Sequence, residues 1–172
     1  ISYSFMLSRV SPTIICIDTL SDYDDNSFTV SISNDGHVYT FGNHENQGTL
    51  GHDTTFIFPP KQIPSLNNII EVDCDQDHVF CLDNDGNVFS FGWNDITRRF
   101  QEDDEIVHLA NHEPYKLNLP KIKQISCGMD FIMCVSEDGL VYSLGNNNIG
   151  ELGHGNNARC FSPKPISLLK DV

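Results

Sequence analysis

SEDGLVYSLGNNNIGELGHG, residues Ser136 to Gly155, holds a turn, a strand and a glycine loop in one unit. Glu137-Asp138-Gly139 reads as a hairpin turn, because Asp and Gly tolerate the positive φ of tight primed turns and apolar runs flank the tripeptide on both sides. Leu140 to Leu144 then alternates as a strand. Gly145, Gly150 and Gly153 punctuate the loop after this strand, with Asn147 two places after the first glycine and Glu151-Leu152 between the last two. A loop of this kind needs backbone freedom more than side-chain chemistry.

Working outward, the unit recurs twice upstream, as SNDGHVYTFGNHENQGTLGHD from Ser33 to Asp53 and as DNDGNVFSFGWN from Asp83 to Asn94. The turn glycines Gly36, Gly86 and Gly139 lie 50 and 53 residues apart, and the strand-end glycines Gly42, Gly92 and Gly145 each stand six residues later. Gly51 closes the first glycine loop as Gly153 closes the last. A period of this size marks a solenoid or a propeller. The strands before the turns keep a common parity. Phe28, Val30 and Ile32 share one face, as do His78, Phe80 and Leu82, and Phe131, Met133 and Val135. The opposite faces carry Val79 and Cys81, then Ile132 and Cys134, so the later two units are apolar on both sides, as sheets stacked between sheets require.

Other repeated signals fit the same frame. Phe58-Pro59-Pro60-Lys61-Gln62-Ile63 matches Phe161-Ser162-Pro163-Lys164-Pro165-Ile166 and reads as a proline-rich connection. Pro114 lies four residues further from its strand-end glycine than Pro60 and Pro163 do, so the middle unit has a longer loop. Ile14-Ile15-Cys16-Ile17 is expected as an outer strand of the first unit, and Ile69 to Val72 and Ile122 to Ser126 open the next two. Among six cysteines, Cys74 and Cys127 are 53 residues apart, as are Cys81 and Cys134. They read as repeated core positions with all six thiols free, which suits a reducing compartment, rather than as disulfides or a zinc site.

At 172 residues the chain is long enough for one ordinary domain core. With 24 acidic and 10 basic residues the formal charge is −14, and no basic stripe is visible, so direct nucleic-acid binding is not expected. The opening ISYSFMLSRV contains neither a secretory pattern nor an apolar run long enough for membrane insertion, and it starts with Ile. A fragment of an intracellular protein, cytoplasmic or nuclear, is the expectation.

At these residues the chain resembles the regulator of chromosome condensation repeat family. The third unit fits best, through Cys127-Gly128, Asp138-Gly139, Gly145, Asn147 and Gly150-Glu151-Leu152-Gly153. His78 stands at the family's His position in the second unit, Phe28 and Phe131 replace it in the others, and Asp75 stands where Gly128 stands in the third. The resemblance implies an all-β fold, an incomplete β-propeller of about three blades, each a four-stranded antiparallel sheet. Residues 1–26 would be an N-terminal strand and acidic loop. The repeats would occupy about 27–60, 61–114 and 115–163, with the start of a further one over 164–172 and the remaining blades in the same parent chain. Apolar end faces, such as those carrying Val79 and Cys81 or Ile132 and Cys134, would then be uncovered.

No catalytic residue, cofactor site or metal site is expected. His108 and His112 have helical zinc-ligand spacing but no HExxH core, and His52 and His154 recur after Leu-Gly, as residues that order a loop do. The most distinctive local feature is the middle loop, where Arg98-Arg99 precede Gln101-Glu102-Asp103-Asp104-Glu105. Arg98, Arg99, Glu102, Asp103, Asp104 and Glu105 are candidate partner contacts, because propellers present variable loops on a rigid rim and an acidic loop suits a basic partner surface. The functional expectation is a non-enzymatic protein–protein interaction scaffold. The alternative implied by the resemblance is a guanine-nucleotide exchange factor, or part of one, for a Ran-type small GTPase.

Overall fold

The computed structural model describes residues 13–17, 27–44, 48–92, 111–169 and 172. Among them are twelve strands in three four-stranded antiparallel sheets, each following chain order. The first sheet is β1 (Thr13–Ile17), β2 (Ser27–Ile32), β3 (Val38–Asn43) and β4 (Phe56–Gln62). The second is β5 (Ile69–Cys74), β6 (His78–Asp83), β7 (Val88–Gly92) and β8 (Asn111–Lys116). The third is β9 (Ile122–Gly128), β10 (Phe131–Ser136), β11 (Val141–Gly145) and β12 (Cys160–Pro165).

The Asx-Gly turns close the central hairpins in one register, pairing Ile32 with Val38, Leu82 with Val88 and Val135 with Val141. Each turn is capped by the side chain three residues before its glycine. Ser33 Oγ accepts the His37 amide at 3.0 Å, Asp83 Oδ1 that of Asn87 at 2.7 Å, and Ser136 Oγ that of Leu140 at 3.0 Å. The glycine carbonyl then reaches onward. Gly36, Gly86 and Gly139 accept hydrogen bonds from Ile69, Ile122 and Val172 at 3.0, 3.0 and 3.2 Å, so each turn also tethers the chain that comes after its own sheet.

The sheets stack face to face. Phe28, Val30, Ile32 and Val38 pack against Ile69, Val72, Val79, Cys81 and Phe91 in one core, and Phe80, Leu82 and Val88 pack against Ile122, Ile125, Ile132, Cys134 and Leu144 in a second. Every residue of β6 is buried, its odd and even side chains serving opposite cores, which is what a strand between two sheets must do. The faces carrying Val79 and Cys81 and Ile132 and Cys134 are therefore covered, contrary to the sequence expectation. The open side of the third sheet carries half-buried Phe131, Met133 and Val135 instead.

Two further expectations are corrected. Ile14 to Ile17 is not an outer strand: β1 packs against β5 and β5 against β9, whereas β4, β8 and β12 show no comparable contact among the described residues, so the first strands form the inner edge of the stack. The proline-rich stretches are not connections but the outer strands themselves. Between two paired positions, β4 has three residues where β3 has one, and β8 and β12 repeat this against β7 and β11. Pro59 and Pro60, Pro114, and Pro163 fall in these bulges, where a missing N–H costs no ladder hydrogen bond and the edge is blunted against pairing with another chain.

The cysteines also depart from expectation. Cys74 and Cys127 occupy the same register, opposite Val79 and Ile132, but Cys74 is disulfide-bonded while Cys81, Cys127, Cys134 and Cys160 are free. Equivalent places in successive sheets have different neighbours, so the period does not carry the redox state. Burial pushes the Cys81, Cys127 and Cys134 thiols up, Cys134 to about 12, which leaves them protonated and unreactive.

Candidate protein-contact rim

The start of the second strand and the end of the third lie together at one rim of each sheet, with the β5–β6 and β9–β10 turns and the described parts of the loops after β3 and β11. There, a polar network runs from sheet to sheet. In the first loop, His44 stacks edge-on against Phe28 with ring centres 5.7 Å apart, its Nε2 lies 3.8 Å from Asp77 Oδ1, and Thr49 Oγ1 donates to the Asp77 carbonyl at 3.3 Å. Asp77 belongs to the β5–β6 turn, which Asp75 organises from within. Asp75 Oδ1 accepts the amides of Asp77 and His78 at 2.9 and 2.8 Å and the His78 ring Nδ1 at 2.8 Å, and its Oδ2 accepts the Asp130 amide of the third sheet at 3.0 Å. Asp130, at φ 60°, passes the chain on: its carboxylate accepts Asn146 Nδ2 at 2.9 Å and its carbonyl accepts the Asn146 amide at 2.8 Å.

Below this turn the carboxylates of β5 do for β9 what a neighbouring strand would do. Asp73 Oδ2 accepts the Cys127 amide at 2.8 Å, and the Glu71 carboxylate is hydrogen-bonded by the Ile125 amide. Alternate residues Glu71, Asp73 and Asp75 thus meet backbone N–H groups along an inner edge that has no strand partner on that side, which satisfies donors that would otherwise be costly to bury. The same register in the third sheet holds Gln124, Ser126 and Gly128. Burial works against the Asp75 carboxylate, but the hydrogen bond and charge of His78 and the Asp77 and His78 amides outweigh it and hold its pKa below the usual range. Burial raises that of Glu71, the Ile125 amide only partly offsetting it.

Asp75, His78 and Asp130 bring three ligand-type atoms within 4.8 Å of one another. The hydrogen bonds just described engage both Asp75 oxygens and His78 Nδ1, which donates to Asp75, so the set works as a latch between two sheets. A second pair with catalytic residue types, Ser143 and His154, is equally committed. Ser143 Oγ donates its one proton to the Leu152 carbonyl at 2.9 Å, so His154 Nε2, 3.0 Å away, donates to Ser143 and cannot serve it as a base. Thr40 Oγ1 makes the matching bond to Leu50 in the first sheet at 2.6 Å. Asn147, fully buried, closes the third loop by donating to Asn156 and Ala158 and accepting from the Leu152 amide.

Two apolar side chains stand out of this rigid setting. Met129 in the β9–β10 turn is 73% exposed and Ile149 at the tip of the third loop is 90% exposed. Glu151 sits beside Ile149, its carboxylate taking the Asn148 and Ile149 amides at 3.1 and 2.8 Å. Its own amide together with these holds its pKa below the usual range. Met129 and Ile149 lie outside the repeated positions of the sequence; an apolar residue at the tip of each of two polar turns is the signal that marks them. The expected contacts Arg98, Arg99, Glu102, Asp103, Asp104 and Glu105, and His108, lie outside the described residues. Their segment joins β7 to β8 as the loop carrying Ile149 joins β11 to β12. Between the first two sheets lies a groove of about 420 Å³ lined by Asp53, Lys61, Ile63, Pro64 and Glu113 among others. Among the described residues no helix is long and apolar enough to cross a membrane.

The regulator of chromosome condensation (RCC1) repeat matches residues 35–82 and 138–172. The chain is 30% identical over 146 residues to the regulator of chromosome condensation of Homo sapiens, a span covering 79% of this chain and 33% of that protein. It is also 30% identical over 147 residues to the ultraviolet-B receptor UVR8 of Arabidopsis thaliana, covering 82% and 32%. Among solved structures, human WBSCR16 superposes with a TM-score of 0.72 at 19% identity over 94% of this chain and 41% of that one. Prp20p from Saccharomyces cerevisiae, described with its binding to Gsp1p and histones, superposes at 0.68 and 20% identity over 90% and 38%. The chain spans about a third of the length of the curated relatives it matches.

Proposed function

From its membership of the regulator of chromosome condensation repeat family, to which the chain belongs, we propose that it is a protein–protein interaction scaffold that binds through the rim carrying Met129 and Ile149. The observation that carries this reading is the pairing of a rigid polar network with two projecting apolar tips. A preordered surface loses little conformational entropy on binding, and exposed apolar anchors supply the area that polar turns lack. With Asp77, Asp130 and Glu151 close by and a chain charge of −14, the partner is a basic protein surface. The segment with Arg98, Arg99, Glu102, Asp103, Asp104 and Glu105 belongs to the same proposal, as the loop after β7. An intracellular setting, nuclear or cytoplasmic, goes with this reading.

The second reading, exchange-factor activity toward a Ran-type small GTPase, is favoured by the relatives named regulator of chromosome condensation and by the binding of Prp20p to Gsp1p. Such a factor stabilises the nucleotide-free GTPase by contact and uses no acid or base of its own, so protonated thiols and committed histidines do not weigh against it. One experiment addresses both. A Ran-type GTPase loaded with fluorescent GDP, and separately core histones, are titrated with the chain and with its Met129→Asp/Ile149→Asp variant. Binding without faster nucleotide release, weakened by the double variant, is the expected result. Faster release selects the second reading, and binding that is indifferent to the two substitutions overturns the rim.

A further inference from the structure

The outer strand of the third sheet differs from its counterparts in one chemically relevant way. In all three sheets a three-residue bulge stands on this strand, opposite a single residue of the third strand. At its middle position the first sheet has Pro59, the second Glu113 and the third Ser162. Ser162 is exposed, and its neighbours in the bulge make no ladder pair with β11. Its carbonyl is held by the Cys160 thiol at 3.0 Å. Pro163 comes directly after it and confines Ser162 to extended backbone, and among the described residues no other serine or threonine precedes a proline.

We infer that Ser162 is a phosphorylation site for a proline-directed serine/threonine protein kinase. A kinase needs a hydroxyl on an accessible, extended segment, and an unpaired bulge on the outermost strand supplies this without unfolding the sheet. In the transfer, Ser162 Oγ forms the new bond to the γ-phosphorus of ATP, the bond to the bridging oxygen of ADP breaks, and the hydroxyl proton leaves through the kinase's base. The product fits its surroundings. Lys164 lies two residues on, its charge felt by His154, and Arg159 precedes the strand, a cationic corner in an acidic chain. The second sheet already carries a carboxylate, Glu113, at the equivalent place, where it shares a groove with Lys61, so the fold tolerates an anion there. Ser136 and Ser143, fully buried, are closed to the same chemistry.

The test is incubation of the folded chain with a proline-directed kinase and Mg·ATP, read by intact mass and by tandem mass spectrometry, beside a synthetic peptide spanning residues 156–169. The expected result is one phosphate per folded chain, located on Ser162, lost in Ser162→Ala and largely lost in Pro163→Ala; Ser162 is exposed and Pro163 half-buried in a bulge outside the ladder, so both variants are expected to fold, which their circular dichroism checks. Phosphorylation of the peptide but not of the chain overturns the inference, because the bulge is then not accessible. Label that persists in Ser162→Ala, at Ser11 or elsewhere, overturns it as well, and so does failure of both substrates.

Discussion

Asp75 shows how much one residue of a repeat can carry. In the third sheet the same position is Gly128, and on sequence alone the change looks like drift within the family pattern. In the fold its two oxygens hold the β5–β6 turn and reach the Asp130 amide, 55 residues away in sequence. Hydrogen bonds to a charged group contribute roughly 1.5–3 kcal/mol, and a buried partner left unsatisfied costs a similar amount. Asp75→Asn is therefore expected to lower stability by about 1–3 kcal/mol at neutral pH, measured by urea unfolding. Because the folded pKa of Asp75 is depressed, its contribution is fully present above the unfolded value of roughly 3.9 and is lost as pH falls through the folded value. The gap between wild type and variant should close below that range. A gap constant down to acid pH would show that the charge plays no part. Glu71, with its pKa raised by burial, works in the opposite sense, so Glu71→Gln should cost less.

At the scale of the element, the central hairpin of each sheet depends on its closing glycine. Gly92 sits at φ 140°, and a Cβ there would meet the Asp77 carbonyl oxygen at 2.1 Å; Gly42 and Gly145 meet Ser27 and Asp130 at 2.3 Å. The crowding is across the hairpin, against the backbone that leads into the second strand, so no side-chain adjustment relieves it. Gly155 has a positive φ of 73° but open space around it. Gly92→Ala should therefore destabilise by about 1–3 kcal/mol or more, and Gly155→Ala by only about 1 kcal/mol, the cost of conformation alone. Equal denaturation midpoints for the two variants would sink this account. The outer strands show the opposite tolerance: their prolines sit where no ladder bond is lost, which is why a sequence that reads as a connection is a strand.

For the whole molecule, the described residues form two closed interfaces, and the third sheet has an open apolar face. Met133 and its neighbours Phe131 and Val135 are only half-buried, and Leu168 and Leu169 are exposed beside the segment that ends at Val172. A sheet with two apolar faces is soluble only when both are covered. The 172-residue chain is expected to self-associate at micromolar concentration, and Met133→Glu to shift it toward monomer in sedimentation velocity. A monomer that is unaffected by Met133→Glu would show that this face needs no cover.

The sequence by itself determined the repeat, the three hairpins with their turns and glycines, and the all-β class, because these rest on local rules: positive φ at Gly, alternation in strands, and a period near 50 residues. It also determined that β6 is apolar on both faces. Only the tertiary structure decided which strand lies inside and which outside, since strand order relative to an axis is set by packing between sheets and leaves no mark within one strand. The same holds for the Glu71, Asp73 and Asp75 contacts to β9, for the disulfide state of Cys74 against the free thiol of Cys127, and for the common rim of Met129 and Ile149. Each depends on which backbone atoms another sheet places within hydrogen-bond or bonding distance, and a periodic sequence makes successive positions look alike when their neighbours differ.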